Sequence, residues 1–170
     1  MTDTTTTPTS SIVTQGSKSV EPLTGEIVEN RRANYNRLVR ETRLAGLILE
    51  SVNFKIAPEA LGVNKALLTR SIAPKTKVMS SGTSDGRCVA NIIWEVFFKY
   101  KKKIVMRCTA SYMISYNGIR DCSEETVTLF VEHVGKVATY AYFRSLYAQL
   151  DWAAAIGSDP LPIFQLQPKI

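Results

Sequence analysis

The sequence lacks any long apolar run, since its uninterrupted hydrophobic stretches are only a few residues long and too short to span a bilayer. Residues 1–20 are rich in threonine and serine and lack the basic, apolar and small-residue regions of a secretory signal. We therefore expect a cytoplasmic protein without a membrane span. With 170 residues, 45% of them hydrophobic, the chain is predicted to form one domain over residues 25–170, preceded by a disordered tail over residues 1–24.

Cysteine and histidine are scarce. Three cysteines without paired spacing do not make a disulfide framework, and they fit a reducing compartment. Cys88 and Cys108 fall on the apolar positions of two predicted strands, which indicates packing in the core. His133 is the only histidine, so a site with several histidine ligands is excluded, and we expect this residue to be solvated on a helix surface. The sequence predicts no metal site.

Motifs for nucleotide binding and catalysis are also missing. The chain has neither the phosphate loop Gly-x-x-x-x-Gly-Lys-Ser/Thr nor a Gly-x-Gly-x-x-Gly turn after a strand. The small polar segment 81–86 precedes a predicted strand, so it lacks the helix N-terminus that would stabilise a phosphate. Glu50 and Glu95 could face each other on neighbouring strands, but such a pair without a pocket is weak support for acid–base chemistry. We predict that the chain is not an enzyme and uses no cofactor.

Acidic residues are fewer than basic ones, and the formal net charge of +6 permits a nucleic acid or another anionic partner. The basic residues form two clusters, Arg31, Arg32, Arg37, Arg40 and Arg43 in an early segment and Lys99, Lys101, Lys102 and Lys103 around one turn. Neither cluster is interleaved with stacking aromatic side chains, and no known nucleic-acid-binding motif accompanies them. A solvated helix face and a hairpin tip are the preferred explanations, and a nucleic-acid-binding module is the less favoured alternative.

The clearest pattern is a strict alternation of apolar residues over 87–100 and 103–116. Because successive side chains of a strand point to opposite faces, each alternating set lines one face of a sheet. The sets are Cys88, Ala90, Ile92, Trp94, Val96, Phe98 and Tyr100, and Ile104, Met106, Cys108, Ala110, Tyr112, Ile114 and Tyr116. The short connection through Lys101 and Lys102 predicts a hairpin of two long strands, with these sets in the core.

The remaining segments predict helices on either side of this sheet. A helix is expected over 25–42 and a strand over 44–56 with a bulge near Glu50 and Ser51. Residues 57–76 fit either a linker with a short helical turn or an irregular edge strand, and a third strand is expected at 76–82. After the hairpin, Ser123 or Asp121 can cap a helix that ends at Gly135, and a second helix runs over 136–155. This order predicts an α+β fold with an antiparallel sheet of about four strands followed by a long C-terminal helical region.

Three segments resemble the SecB family of protein-export chaperones. The run VATYAYFR at 137–144 is similar to the start of the family's long helix, and LPIFQLQP at 161–168 is similar to its short proline- and leucine-containing segment. Residues 44–54, with Leu49, Ser51 and Phe54, resemble the family's opening strand. The resemblance covers about residues 43–168 and implies a SecB-like fold, a homotetramer built as a dimer of dimers, and binding of unfolded polypeptides without ATP.

The chain also departs from this family. Ala141 stands where proline is usual, and the chain is basic where members are typically acidic, which puts docking to the export motor ATPase in doubt. A SecB-like protein dedicated to one partner, such as an antitoxin, fits these departures equally well. If the resemblance holds, apolar residues that one sheet and one helix cannot hide are the candidates for client binding. These are Leu47, Leu49, Val89, Ile93, Phe97, Trp152, Ile163 and Phe164. Val89, Ile93 and Phe97 are explained equally well by burial against another subunit.

Overall fold

The computed structural model describes residues 25–82 and 85–164, so the predicted tail over 1–24 and the last residues of the predicted extended segment lie outside the described residues. Its elements are α1 (Gly25–Glu41), β1 (Arg43–Ile56), β2 (Leu68–Gly82), β3 (Arg87–Tyr100), β4 (Lys103–Asn117), α2 (Glu124–Phe130) and α3 (Lys136–Ala153). None of the helices in these ranges has the length and apolar character needed to cross a membrane. The predicted α+β class and the long C-terminal helical region are confirmed.

The four strands form one antiparallel sheet in the order β1-β4-β3-β2. The predicted β3–β4 hairpin is confirmed, and its turn contains Lys101 with a positive φ of 55°. β1 pairs with β4 and not with β3, so β1 and β2 are the two edge strands. The β1–β4 register shifts between Leu49 and Ser51, which confirms the predicted bulge.

One face of the sheet is covered by helix and the other is not. The alternating apolar sets of β3 and β4 lie under α2 and α3, with Trp94 fully buried at their centre. Ile104 is the exception: it is exposed, contrary to prediction, because the register shifts after Phe98 and places it opposite Lys99. Its indole stacks on Phe143 at 5.7 Å and lies 4.9 Å from Tyr140, and its Nε1–H donates to the Thr139 hydroxyl at 2.8 Å. Cys88 and Cys108 are buried in the same core, as predicted, and both thiols are free. We call the other side of the sheet the open face.

Residues 57–76 combine the two predicted alternatives, a helical turn and an edge strand, but the third strand begins at Leu68 and not at residue 76 as predicted. Two single 3₁₀ turns, Pro58–Ala60 and Lys65–Leu67, lead into β2, which begins at Leu68. The strand contains Pro74, which cannot donate a backbone hydrogen bond. Such a residue is tolerated because β2 is an edge strand and has a partner on one side only.

Gly135 does not end a helix, contrary to prediction. Ser123 caps α2 by accepting a hydrogen bond from the Thr126 backbone N–H, and a π-helical turn, Val131–Gly135, joins α2 directly to α3. Gly135 has helical backbone angles, and a Cβ added to it would lie 2.7 Å from Ile92 Cδ1. The glycine is therefore explained by the close approach of the helix to the sheet.

The first prediction concerns this contact. Gly135→Ala gains about 1 kcal/mol of helix propensity, but the new methyl overlaps the buried Ile92 side chain, and such overpacking costs about 1–3 kcal/mol. We expect a net loss of roughly 1 kcal/mol in the free energy of unfolding, measured by urea denaturation. The control is Ile92→Val, which removes Cδ1 and should cost less in the Gly135→Ala background than alone. If the effects of the two substitutions on the free energy of unfolding are additive, the inferred overlap between residue 135 and Ile92 is wrong.

The second prediction concerns alkaline pH. Burial raises the pKa of Tyr112, Tyr116 and Tyr147 to about 12, above the ordinary value of 10. The unfolded chain therefore loses these protons first as pH rises, and the free energy of unfolding should fall by roughly 1.4 kcal/mol per tyrosine for each pH unit between 10 and 12. Tyr147→Phe should make this fall less steep, as measured by urea denaturation at several pH values. An unchanged slope would contradict the burial effect.

Candidate functional site

The residues predicted to bind clients lie on both sides of the sheet. Leu47 and Leu49 pair with Ile114 and Tyr112 of β4, which places them on the helix-covered side. Phe164 packs on Trp94 from this side, and Trp152 lies at the end of α3, which covers this side of the sheet. Val89, Ile93 and Phe97 have the opposite parity of β3 and lie half-buried on the open face. The structure therefore separates the predicted set into two surfaces.

A groove of about 340 Å³ lies between β1 and α3. Leu49 is exposed here, while Leu47 is half-buried and packs against the core. From α3, Tyr142 contributes an exposed aromatic ring. The full lining is Leu47, Leu49, Tyr112, Tyr142, Ser145, Leu146 and Gln149. We call this the strand groove.

A second groove, of about 960 Å³, lies on the other flank of α3 and is bounded by the segment that follows the helix. Ala141, Ala148 and Trp152 of α3 give it an apolar floor, Arg144 and Lys65 add positive charge, and Pro160 and Leu161 add apolar surface from the following segment. We call this the tail groove. Ser145 lines both grooves, so the exposed side of α3 separates them.

Hydrogen bonds hold the segment that bounds the tail groove. The Asp151 carboxylate accepts a hydrogen bond from the Ser158 backbone N–H at 2.9 Å, and the Tyr147 and Ser158 hydroxyls are 2.7 Å apart. Tyr140 donates to the Pro162 carbonyl at 2.6 Å, and Arg70 of β2 donates to the Asp159 and Pro160 carbonyls at 3.0 Å. Because these bonds come from both α3 and the sheet, this boundary of the groove is preformed.

Trp152 is the most exposed large apolar residue of the described chain, with 85% of its surface accessible. A tryptophan presents about 200 Å², and burying most of it would contribute roughly 4 kcal/mol before the costs of binding. The hydrophobic surface of the tail groove is therefore concentrated in one side chain. Since Trp94 is fully buried, the two tryptophans lie in opposite environments.

Ile163 and Phe164 are adjacent in sequence but have different surroundings. Ile163 is exposed, with 74% of its surface accessible. Phe164 is half-buried, with its ring edge-on to Trp94 at 5.4 Å and tilted against Tyr140 at 5.1 Å. Phe164 thus helps to anchor the segment after α3, and neither residue lines the tail groove as Pro160 and Leu161 do. Client binding by Ile163 and Phe164 stays a prediction.

Sequence reasoning missed most of the groove lining on α3. Ala141 was noted as standing where proline is usual and was not assigned to a groove, whereas it is exposed and lines the tail groove. Tyr142, Ala148 and Arg144 were not singled out. The periodicity of the large residues could have identified this side, because Tyr140, Phe143 and Tyr147 are buried and leave the opposite side of the helix exposed.

On the open face, the carboxylates of Glu50 and Glu95 do not face each other, because β4 lies between β1 and β3. Glu50 instead accepts hydrogen bonds from Asn91 at 2.7 Å and Ser111 at 2.8 Å. Glu95 forms an ion pair with Arg107 at 3.1 Å. The suggested carboxylate pair is therefore wrong, and both groups belong to polar networks across the strands.

The described residues hold no cluster of three or more histidine, cysteine, aspartate or glutamate side chains that could bind a metal ion. Burial raises the pKa of the Cys108 thiol to about 11 and also raises the pKa of the Cys88 thiol, so both stay protonated near neutral pH. His133 is exposed, and its Nδ1 lies 3.3 Å from the Tyr35 hydroxyl. That the chain is not an enzyme stays a prediction.

No family model and no curated protein matches the sequence. Among solved structures, the chain is similar to Rv1957 of Mycobacterium tuberculosis, a SecB-like chaperone in complex with a ChAD peptide from the Rv1956 HigA1 antitoxin. The TM-score is 0.64 at 18% sequence identity, over 79% of this chain and 99% of that chain. A protein of unknown function from Streptococcus agalactiae gives a TM-score of 0.34 at 10% identity, over 74% of this chain and 98% of its own, and carries no argument. The chain has the SecB-like fold.

Proposed function

We propose that this protein is a chaperone that binds non-native polypeptides, without ATP, in the two grooves that flank α3. The observation that carries the proposal is the exposed Trp152 side chain on the floor of the tail groove, beside a boundary that hydrogen bonds hold in place. Unfolded segments carry exposed apolar side chains and backbone groups, which such grooves can bind without sequence specificity.

The binding energy in this proposal comes from buried apolar surface. Each Å² contributes about 25 cal/mol, so a few hundred Å² yields several kcal/mol per groove before the loss of chain entropy is counted. A client that reaches more than one groove gains affinity through effective concentration. We further propose that the protein is cytoplasmic and assembles as a dimer of dimers, which would present several such grooves. Binding that favours the unfolded client opposes its folding by mass action.

A second candidate is a chaperone dedicated to one partner. The similar Mycobacterium tuberculosis protein was solved with an antitoxin peptide, which favours this candidate. A single fixed partner, such as an antitoxin, could use the same grooves, and the two candidates differ in whether unrelated clients are held. Docking to the export motor ATPase is not proposed, because the chain is basic.

A nucleic-acid-binding module receives less support. In α1, Arg31 forms an ion pair with Glu125 at 3.1 Å, and Arg37 donates to the Asp121 carbonyl at 2.9 Å. Arg40 and Arg43 donate to backbone carbonyls nearby. These guanidinium groups therefore already have partners within the chain, which reduces what they can offer to phosphates.

The third prediction tests client holding. A near-neutral, chemically unfolded protein is diluted into buffer with and without this chain, without nucleotide, and aggregation is followed by light scattering. A general chaperone should suppress aggregation at near-stoichiometric ratios. Leu49→Ser removes an exposed apolar side chain from the strand groove and should weaken suppression, whereas Ile48→Ser makes the same kind of change on the open side of β1 and should not.

Two results would contradict the third prediction, one for general holding and one for the strand groove. If the folded wild-type chain leaves aggregation unchanged, the general chaperone is rejected and the dedicated-partner candidate is pursued by pull-down. If Ile48→Ser and Leu49→Ser weaken suppression equally, the strand groove is not the binding surface.

The fourth prediction uses the fluorescence of Trp152 to detect peptide binding in the tail groove. Emission from a tryptophan moves to shorter wavelength when its surroundings become apolar. An apolar, uncharged peptide added to the chain should therefore shift the emission of exposed Trp152, while buried Trp94 stays constant. Trp152→Phe should abolish the shift and retain most of the binding, which labelled-peptide anisotropy measures separately. A shift that persists in Trp152→Phe would place the peptide elsewhere.

A further inference from the structure

The open face of the sheet carries a surplus of positive charge. Strand register places five basic side chains on the part of this face that runs from its middle to the β3–β4 turn, one on β1, two on β2, one on β3 and one on β4. They are Lys55, Lys75, Lys77, Lys99 and Arg107. The acidic side chains that accompany them are Glu50 and Glu95. Five minus two leaves a surplus of three positive charges, which is half of the formal net charge of +6.

These cations are poorly neutralised within the chain. Among the described residues, Arg107 is the one member of the set with an ion pair, to Glu95, and the Glu50 carboxylate is engaged by Asn91 and Ser111. Lys55 lies directly opposite Arg107 in the β1–β4 ladder. Like charges in that arrangement repel each other and destabilise a sheet. An anion placed over this face would relieve the repulsion.

The same face has an apolar row along β3. Val89, Ile93 and Phe97 recur every fourth residue, which spaces them about 13 Å apart along the strand. Lys75 is paired with Ile93, and Arg107 is paired with Phe97 from the other side. The Lys99 ammonium also lies 5.2 Å from the centre of the Phe97 ring. Apolar and cationic groups are thus interleaved over the length of the strand.

We propose that the open face binds an acidic polypeptide segment that carries apolar side chains between its carboxylates. Carboxylates would pair with the lysines of β2 and β3, and the apolar side chains would lie along the row of Val89, Ile93 and Phe97. The aliphatic members of this row favour a polypeptide over a nucleic acid, whose bases stack best on aromatic or guanidinium planes. Charge complementarity between the face and this segment then provides specificity and a high association rate.

Other occupants fit the face less well. Two copies of this chain packed open face to open face would bring together two surfaces that each carry a surplus of three positive charges. Residues 1–24 contain two acidic residues and one basic residue, so this part of the chain is nearly neutral. An acidic partner is the occupant whose charge the face complements. This surface lies across the sheet from the two grooves, so it does not depend on the chaperone proposal.

The fifth prediction tests this surface with a short labelled peptide in which glutamates alternate with leucines, followed by fluorescence anisotropy. The variant Lys75→Gln/Lys77→Gln/Lys99→Gln removes three charges from the open face. The matched control Lys101→Gln/Lys102→Gln/Lys103→Gln removes the same charge from the hairpin turn. We expect the face variant to bind about tenfold more weakly and the turn variant to change by less than about twofold, with affinity falling as salt rises.

Two further probes decide the chemistry of the partner. A peptide with serine in place of leucine should bind more weakly than the original peptide, because it cannot use the apolar row. Equal weakening by the two triple variants would overturn the proposal, since binding would then follow net charge alone. Tighter binding of a single-stranded oligonucleotide of equal charge, lost in the face variant, would also overturn it in favour of nucleic acid. Thermal unfolding checks that each variant folds. If a triple variant does not fold, the corresponding single lysine variants are measured in its place.

Discussion

The packing of Trp94 links the sheet to the helix above it. Its indole is fully buried between β3 and α3, stacks on Phe143, and donates a hydrogen bond to Thr139. The Thr139 hydroxyl in turn donates to the Gly135 carbonyl at 2.9 Å, where a Cβ would overlap Ile92 of the sheet. These contacts set the height and rotation of α3 on the sheet. Both grooves flank α3, so their shape depends on this one cluster.

A single helical layer on a four-stranded sheet leaves two kinds of unfilled surface. On the covered side, α3 is narrower than the sheet, and apolar grooves remain along its flanks. On the other side no described element lies over the strands, and charged and apolar residues are interleaved there. The two surfaces differ in chemistry, since one offers apolar area beside an exposed tryptophan and the other offers unpaired lysines. The two proposed ligands would therefore occupy opposite sides of the sheet and would not compete for one surface.

The sequence predicted the parts of this fold that local pattern controls. Alternation over β3 and β4, the cap at Ser123 and the bulge after Leu49 all follow from the chemistry of neighbouring residues. Pairing of β1 with β4 joins residues far apart in the chain, and alternation alone does not select that partner. The role of Gly135 was misread because a close tertiary approach and a helix stop both call for glycine. Similarly, the sequence left residues 57–76 undecided between a linker and an edge strand, because Pro74 is acceptable in a strand only at an edge position.

The candidate site was only partly accessible to sequence reasoning. Leu49 and Trp152 were recognised as apolar residues that the fold cannot bury, and both line grooves. The groove residues Tyr142 and Ala148 went unrecognised, because assigning them requires the rotation of α3 about its axis. Alternation along β3 already separates Val89, Ile93 and Phe97 from the core set, and they lie on the open face, across the sheet from the grooves.

The edges of the sheet are not equivalent. Along β2, Pro74 supplies no backbone donor, and Lys75 and Lys77 follow at once, which are the features that discourage another strand from joining an edge. Along β1, the outer edge carries the exposed apolar residues Leu44, Ile48, Leu49 and Val52, and Lys55 is the only lysine. A further strand would therefore be opposed at β2 by one proline and two lysines, whereas the bulges in β1 are what would oppose it at the other edge.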